Sequence, residues 1–552
     1  MRKKISTSLR ETAKNVYNID INPELNRTDE QFGDYATNIA LQLSKKVGKS
    51  PQTVAEELVG KLRDILNTDI DDISVAGPGF INFRLSDQAL LDELYAGIRP
   101  PVNYFEQDIV IETNNPNPFK DLHIGHAYNS IVADSIANLL EAGQGSVHRV
   151  SYHGDVGLHV GKSMWAILRS IDNNPASLGA IAESERSTFL SKMYAEGADT
   201  YEKDDLAKEQ IEVLAQQSFV LDDPLFEQVY ETCKQWSFDY FNQAFKALGS
   251  KPTKRQYLER ETDRVGRSIV ERHIGKVFEK SDGAVIFPGE KYDLHTRVFI
   301  NARDNTLYEA RDLGLIQLKE YEFRPQSSYV VTANEQQEYF KVVLKAAELS
   351  MTDINSETYN ISTGMVKLAT GKMSSRKGTA INIGWLFDEL EKAIRRRTKN
   401  ESTVADGVIG ALRYTMLRVR VGGDVIFDIN DAISLEGNSG PYLQYAHARA
   451  RSVLAKAKQT TKQEVELESD ERTLVRKITE YEDMLQKAVV ELMPHHVCNY
   501  LYELAQQFNR FYEHNRVIGD KRESIRVAIV KQYADVLKDG LQLLGIPAPD
   551  RL

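Results

Sequence analysis

At 552 residues the chain is too long for one hydrophobic core and, at roughly 100–200 residues per domain, divides into about three to five units. Hydrophobic residues at 41% and charged residues at 27% exclude a disordered chain. A net charge of −11, from 69 Lys plus Arg against 80 Asp plus Glu, excludes a surface coated for indiscriminate nucleic-acid binding, so any RNA contact has to use local basic patches.

Residues 1–104 read as a compact α+β unit: helical periodicity at 36–47 and 52–66, a strand around Ile73-Ser74-Val75, a Gly77-Pro78-Gly79 turn and a second strand at Phe80-Ile81-Asn82-Phe83. Arg99-Pro100-Pro101 marks the exit. The strand Asp108-Ile109-Val110-Ile111-Glu112, a Pro/Asn-rich loop and a helix from near His123 then open an α/β, Rossmann-like nucleotide fold over 105–385. Segment 160–250 reads as a helical insertion within it, followed by strands at 284–287, 297–300 and 328–332. From 386 onward amphipathic stretches at 441–458, 472–492, 497–514 and 524–543 predict an all-α helical bundle.

Cys233 and Cys498 stand alone, without metal-ligand spacing, so neither a structural metal nor a disulfide framework is expected and a reducing cytoplasm fits. Neither a leader-like apolar segment nor a membrane-length apolar run is present, and a monomer without membrane attachment is the expectation.

The chemistry concentrates in two motifs. His123-Ile124-Gly125-His126 begins a helix after a strand, where free backbone N–H groups favour an anion, Gly125 admits a nucleotide and two imidazoles can donate to phosphates. Gly371-Lys372-Met373-Ser374-Ser375-Arg376-Lys377-Gly378 is a glycine-bounded loop with three cations, suited to clamping pyrophosphate. In this order the two resemble the paired ATP motifs of class I aminoacyl-tRNA synthetases. Asn115-Pro116-Asn117 with Lys120, Gly154-Asp155-Val156-Gly157, Tyr308-Glu309-Ala310-Arg311-Asp312 and Asn334-Glu335-Gln336 resemble, within that class, the arginyl-tRNA synthetase family. Val156 stands where the family has Trp.

That resemblance implies an arginine pocket of Asn117, Tyr308, Asp312 and Gln336, with Asn115, Pro116 and His126 beside the amino-acid backbone and Glu259 as a second acid at the guanidinium. A planar, permanently charged five-donor fork independently calls for a carboxylate and neutral acceptors in fixed geometry. Gly364-Met365-Val366 resembles the family's adenine-reading strand. Ser375 replaces the usual fourth-position lysine of the loop, and Lys120 is expected to supply that phosphate-facing charge together with Lys372 or Lys377.

The flanks resemble the family as well. Gly33–Asn38 and Gly77–Asn82 look like its N-terminal domain at the tRNA elbow, with Asn38 and Phe80 as candidate contacts. Glu436–Arg449 looks like the entry to its anticodon-binding domain, where Tyr442, Gln444, Tyr445, Arg449, Asn509, Phe511, Tyr512 and Arg516 are candidate tRNA contacts, the aromatics serving base stacking or the bundle core. The implied reaction activates L-arginine with ATP and Mg²⁺, then charges tRNA(Arg). Other readings are a class I synthetase for lysine or glutamate, a catalytically silent tRNA-binding homologue and a small-molecule nucleotidylyltransferase.

Overall fold

A computed structural model describes residues 1–369, 381–398, 400–457 and 466–551. The N-terminal unit comprises α1 (Arg2–Tyr17), β1 (Asn26–Arg27), β2 (Tyr35–Thr37), α2 (Ile39–Val47), α3 (Pro51–Ile65), β3 (Ile70–Ala76), β4 (Phe80–Leu85) and α4 (Asp87–Ala96). Its sheet runs antiparallel in the order β1-β2-β4-β3. Helix α1 was not anticipated; its apolar stripe of Ile5, Leu9 and Ala13 is narrow and set among charged residues, yet all three are fully buried.

The central unit is built on β5 (Asp108–Glu112), α5 (Ile124–Ala142), β6 (Ser146–His153), a helical run α6 (Leu158–Ser170), α7 (Arg186–Lys203), α8 (Asp205–Val220) and α9 (Pro224–Ala247), then β7 (Arg255–Leu258) and α10 (Glu259–Arg272). A small antiparallel sheet of β8 (Glu279–Ser281), β9 (Ala284–Phe287) and β10 (Arg297–Ile300) follows, and then α11 (Tyr308–Phe323), β11 (Ser327–Ala333), α12 (Gln337–Ser350), β12 (Glu357–Thr363) and β13 (Val366–Leu368). The main sheet is parallel throughout, ordered β12-β11-β5-β6-β7. Strand order reverses between β11 and β5, and in such sheets the crevice at the carboxyl ends of the two switch-point strands is where ligands sit. The strands read at 284–287 and 297–300 are β9 and β10, which pair with each other outside the parallel sheet, while β6 and β7, whose polar and aromatic residues hide a strand pattern, belong to it.

Helices α10 and α11 cross with backbone contact. A methyl group on Gly266 would sit 1.8 Å from the Ala310 carbonyl oxygen, and one on Gly314 would sit 2.1 Å from that of Thr262. Gly266→Ala is therefore expected to displace α11, lowering stability by about 3 kcal/mol and weakening binding at the α11 end of the site described below; thermal unfolding and KM measurements check both.

The C-terminal part contains α13 (Ile383–Arg395), α14 (Val404–Leu417), β14 (Val425–Phe427), α15 (Ile429–Ala432), α16 (Gly440–Leu454), α17 (Ser469–Thr479), α18 (Tyr481–Glu491), α19 (His495–His514) and α20 (Glu523–Leu543). Strand β14 pairs parallel with β13 inside a region whose pattern reads as helical, and the stretch 472–492 is two helices rather than one, parting at Glu480. No helix among the described residues is long and apolar enough to cross a membrane.

Bundle and N-terminal unit meet through ion pairs. Asp34, 1% exposed, accepts from Arg472 at 2.9 Å and Arg476 at 3.0 Å, and Arg27 reaches Asp483 at 2.9 Å. Asp34 and Tyr35 of the Gly33–Asn38 motif are thus junction residues.

Candidate active site

A cleft of about 860 Å³ opens at the switch point. Its wall takes Glu112 from the end of β5, Asn115 and Asn117 from the following loop, His123, Gly125 and His126 from the start of α5, Tyr152 and Gly154 from the end of β6, and Glu259 from the start of α10. Tyr308, Asp312 and Lys319 of α11, Gln336, Tyr339 of α12, and Gly364, Met365 and Val366 complete it. Pro116 and Lys120 are not on the lining. Lys120 lies over the Tyr194 ring at 5.0 Å, and burial lowers its pKa. Lys372, Met373, Ser374 and Lys377, with Ser375, lie outside the described residues; beyond them the chain pairs Ile381 with the start of α5, Ile124 N–H donating to its carbonyl at 2.8 Å.

His123 is the N-cap of α5 and not part of its face. Its Nδ1 accepts from Gly125 N–H at 3.2 Å, while His126 Nδ1 accepts from His123 N–H at 3.3 Å, and the rings stack at 3.8 Å. Burial depresses both pKa values, that of His126 to about 3. Both rings are therefore neutral at pH 7, and because Nδ1 is the acceptor in each, the proton sits on Nε2 as a donor. A side chain on Gly125 would press on the His123 ring at 3.0 Å, so this glycine preserves the cap.

Sequence reasoning missed the pocket's internal cations. Lys319 donates to Glu112 at 2.8 Å with both side chains buried, and Glu112's other oxygen accepts from Asn115 Nδ2 at 2.7 Å. Arg311 donates to Glu259 at 2.7 Å and to the Thr306 carbonyl at 2.8 Å. Glu259 is thus already held by a resident arginine, and its pKa, raised chiefly by burial, stands at about 7. Asp312 differs: among the described residues it forms no ion pair, its hydrogen-bond donor is the Tyr339 hydroxyl, and burial with Glu112 and Glu259 nearby raises it to about 8. Tyr308, four residues earlier on the same face, is 55% exposed at the rim. Nothing in the local sequence marks Lys319 or Tyr339, which only the packing of α11 and α12 brings in.

Away from the cleft, Gln444 is fully buried, donating to the carbonyls of Asp406 and Pro547 at 2.9 Å, and Phe511 is 2% exposed in the bundle core. Neither presents its side chain to RNA, which corrects two candidates; both fall on the inner face of their helix. Tyr442 is also mostly buried, its hydroxyl accepting from Asn509 at 2.8 Å. Arg449 reaches Asn509 Oδ1 at 3.1 Å and lies over the Tyr445 ring, and Tyr445, Tyr512 and Arg516 are exposed. Arg522 and Arg526 are bound to Glu471 and Glu468. On the N-terminal unit Phe80 is 41% exposed, and Asn38 Oδ1 accepts from Gln42 at 2.9 Å.

A switch-point cleft with a His-x-Gly-His cap defines the class I tRNA synthetase architecture. Residues 93–421 match the model described as "tRNA synthetases class I (R), catalytic domain", residues 1–85 the "Arginyl tRNA synthetase N terminal domain" and residues 443–552 the "DALR anticodon binding domain". The chain belongs to the arginyl-tRNA synthetase family. It is 27% identical over 577 residues to an arginine–tRNA ligase of Limosilactobacillus fermentum, covering 100% of both, and 26% identical over 597 residues to that of Bacteroides fragilis, covering 100% of this chain and 99% of the relative. The fold is similar to arginyl-tRNA synthetase from Thermus thermophilus, with a TM-score of 0.83 at 21% identity and 100% coverage of both chains. It is also similar to the Plasmodium falciparum enzyme, with a TM-score of 0.79 at 19% identity, covering 100% and 99%.

Proposed function

We propose that this chain is an arginine–tRNA ligase: arginine's carboxylate attacks the α-phosphate of ATP to give arginyl-adenylate and pyrophosphate, and the 2′-hydroxyl of the terminal adenosine of tRNA(Arg) then takes the arginyl group. The observation that carries the substrate assignment is the charge pattern of the cleft. Of its four carboxylates, Glu335 is exposed to solvent, Glu112 is paired with Lys319 and Glu259 with Arg311, which among the described residues leaves Asp312 as the half-buried one open to an incoming cation. A guanidinium offers the forked donors that a carboxylate accepts bidentately, with Tyr308 and Gln336 as further partners.

At the other end, the Nε2–H donors of His123 and His126 and the N-terminus of α5 stabilise charge on the phosphates, with ATP entering as its Mg²⁺ complex. Lys120, Lys372 and Lys377 supply the remaining positive charge, Gly364–Val366 reads adenine, Asn117 joins Tyr308, Asp312 and Gln336 around the side chain of arginine, and Asn115 and His126 lie beside its backbone, with Pro116 behind them. No protein nucleophile is needed, so the acceleration comes from positioning and electrostatics. The exposed Tyr445, Tyr512 and Arg516, with the half-buried Arg449, belong to the anticodon surface and Phe80 and Asn38 to the elbow surface, with domain limits at 104/105 and 385/386, in a cytoplasmic monomer.

ATP–pyrophosphate exchange with each of the twenty amino acids, with and without tRNA(Arg), tests the assignment. Arginine is expected to outrun lysine by about 10³-fold or more in kcat/KM, because lysine leaves the pocket's acceptors partly unpaired. Exchange driven best by lysine, or by no amino acid, overturns it.

A further inference from the structure

We propose that His153 is a positioning residue for the amino-acid site, which it serves by fixing the loop Asn115–Asn117 from behind, with helix α9 of the insertion as its backing. The inference rests on the arginine reading above and gives the helical insertion a task in it.

The β5–β6 ladder stops at Glu112 and Val150, with Thr113 N–H adding one bond to the Val150 carbonyl at 2.9 Å. Beyond this point β5's continuation contains Pro116 and Pro118, which have no N–H to donate. Side chains take over. Asn115 Oδ1 accepts from Tyr152 N–H at 2.9 Å, the Pro116 carbonyl meets His153 Nδ1 at 2.7 Å, and Asn117 Oδ1 accepts from Gly154 N–H at 3.0 Å, each pair with the same sequence offset of 37. Three consecutive loop residues are thus stitched in register to three consecutive residues of the next strand. Close approach closes the seam: a Cβ on Gly154 would lie 2.7 Å from Asn117 Oδ1 and 2.8 Å from Glu259 Oε1.

Only the middle stitch uses a side chain of the strand. His153 is 2% exposed, and its other nitrogen, Nε2, lies 2.8 Å from Ser151 Oγ. A carbonyl can only accept, so Nδ1 carries the proton and Nε2 takes the Ser151 hydroxyl proton, which selects one neutral tautomer. Burial, holding the ring's pKa near 4, keeps it neutral throughout the working range. The ring rests against two aromatics of α9, edge-on to Phe238 at 4.9 Å and parallel to Phe241 at 6.2 Å. The same helix holds the loop's far end, where Ser237 Oγ accepts from Phe119 N–H at 3.0 Å. His153 touches no part of the cleft. Its leverage is on Asn115 and Asn117, which do.

The test compares the full chain with His153→Leu, His153→Asn and the milder Ser151→Ala, measuring exchange kinetics and the hydrogen exchange of segment 113–119. Leucine removes the Pro116 bond, whereas asparagine carries a donor near the position of Nδ1. Expected for His153→Leu is a rise of about tenfold in the KM for arginine, the size of one lost buried hydrogen bond, with the KM for ATP within about twofold of wild type and faster hydrogen exchange in 113–119. His153→Asn should recover most of both effects. Ser151→Ala, which removes only the tautomer lock, should raise the same KM about threefold and decides the matter if the leucine variant does not fold. Equal changes in the arginine and ATP constants, asparagine no better than leucine, or unchanged hydrogen exchange would overturn the proposal. If wild type prefers another amino acid, the arginine assignment fails, and the same comparison made on that amino acid still decides the role of His153.

Discussion

Asp312→Asn is expected to lower kcat/KM for arginine by about 10³-fold, or ~4 kcal/mol, while leaving the KM for ATP near wild type. The substitution keeps an oxygen that can accept from Tyr339 and removes only the charge, so the loss measures the carboxylate–guanidinium interaction and not a collapsed pocket. A pH signature accompanies it. In the empty cleft Asp312 holds its proton up to about pH 8, because burial and the neighbouring Glu112 and Glu259 disfavour its charge. A guanidinium needs the ionised form, so arginine binding below that pH releases a proton. The apparent KM should therefore rise about tenfold per pH unit as pH falls below about 8. Taking the ratio of wild type to Asp312→Asn cancels titrations elsewhere, including those of the substrate.

Stability runs the opposite way. Between the unfolded carboxyl's 3.8 and the folded value of about 8, the native protein binds more protons than the unfolded chain at this site. The slope of unfolding free energy with pH is then negative, and the contribution is complete at low pH and lost as pH rises to 8. Asp312→Asn should accordingly melt above wild type at pH 9, the gap closing toward pH 5, and added arginine should raise the melting temperature of wild type alone. A variant less stable than wild type at pH 9, or an arginine KM that ignores pH, would remove Asp312 from the guanidinium site.

How much of this was open to reading from sequence divides along a physical line. Local signals were legible: Ile109-Val110-Ile111 as a strand buried on both faces, the imidazole pair at the start of α5, and the Tyr308–Asp312 spacing that puts both residues on one helical face. What stayed hidden depends on long-range contact. Glu259 looks like a free acid until α11 brings Arg311 against it, and Lys319 is an ordinary amphipathic-helix lysine until it meets Glu112 across the sheet. The same limit applies in the bundle, where Gln444 and Phe511 have the composition of RNA contacts but the inward phase of core residues. Phase relative to neighbouring helices is not written in a motif.

The largest structural effect is expected at a charge that no motif marks. Asp134, 1% exposed on α5, accepts from Arg413 of α14 at 2.7 Å and from Arg149 of β6 at 3.3 Å. Arg413, itself fully buried, also donates to the Leu544 carbonyl at 2.6 Å and the Leu248 carbonyl at 3.1 Å. Ser135 and Asn138 of the same helix donate to the Leu543 carbonyl at 3.1 Å each, so α5 caps the carboxyl end of α20 while its own amino end lines the cleft. Asp134→Ala takes from the buried Arg413 guanidinium its carboxylate partner, leaving it only carbonyls, whereas Arg149 keeps Glu141 and Asn138, and should cost about 3–5 kcal/mol in the first denaturant-induced unfolding transition. Removing the charge on both sides, with Asp134→Leu and Arg413→Met together, should recover more than half of that loss, because the desolvation penalty disappears with the pair. The single variant should also slow pyrophosphate exchange more than the double variant does, since an uncompensated charge at mid-helix tilts α5 and with it His123 and His126. If the double variant is as unstable as the single one, packing and not electrostatics holds this junction.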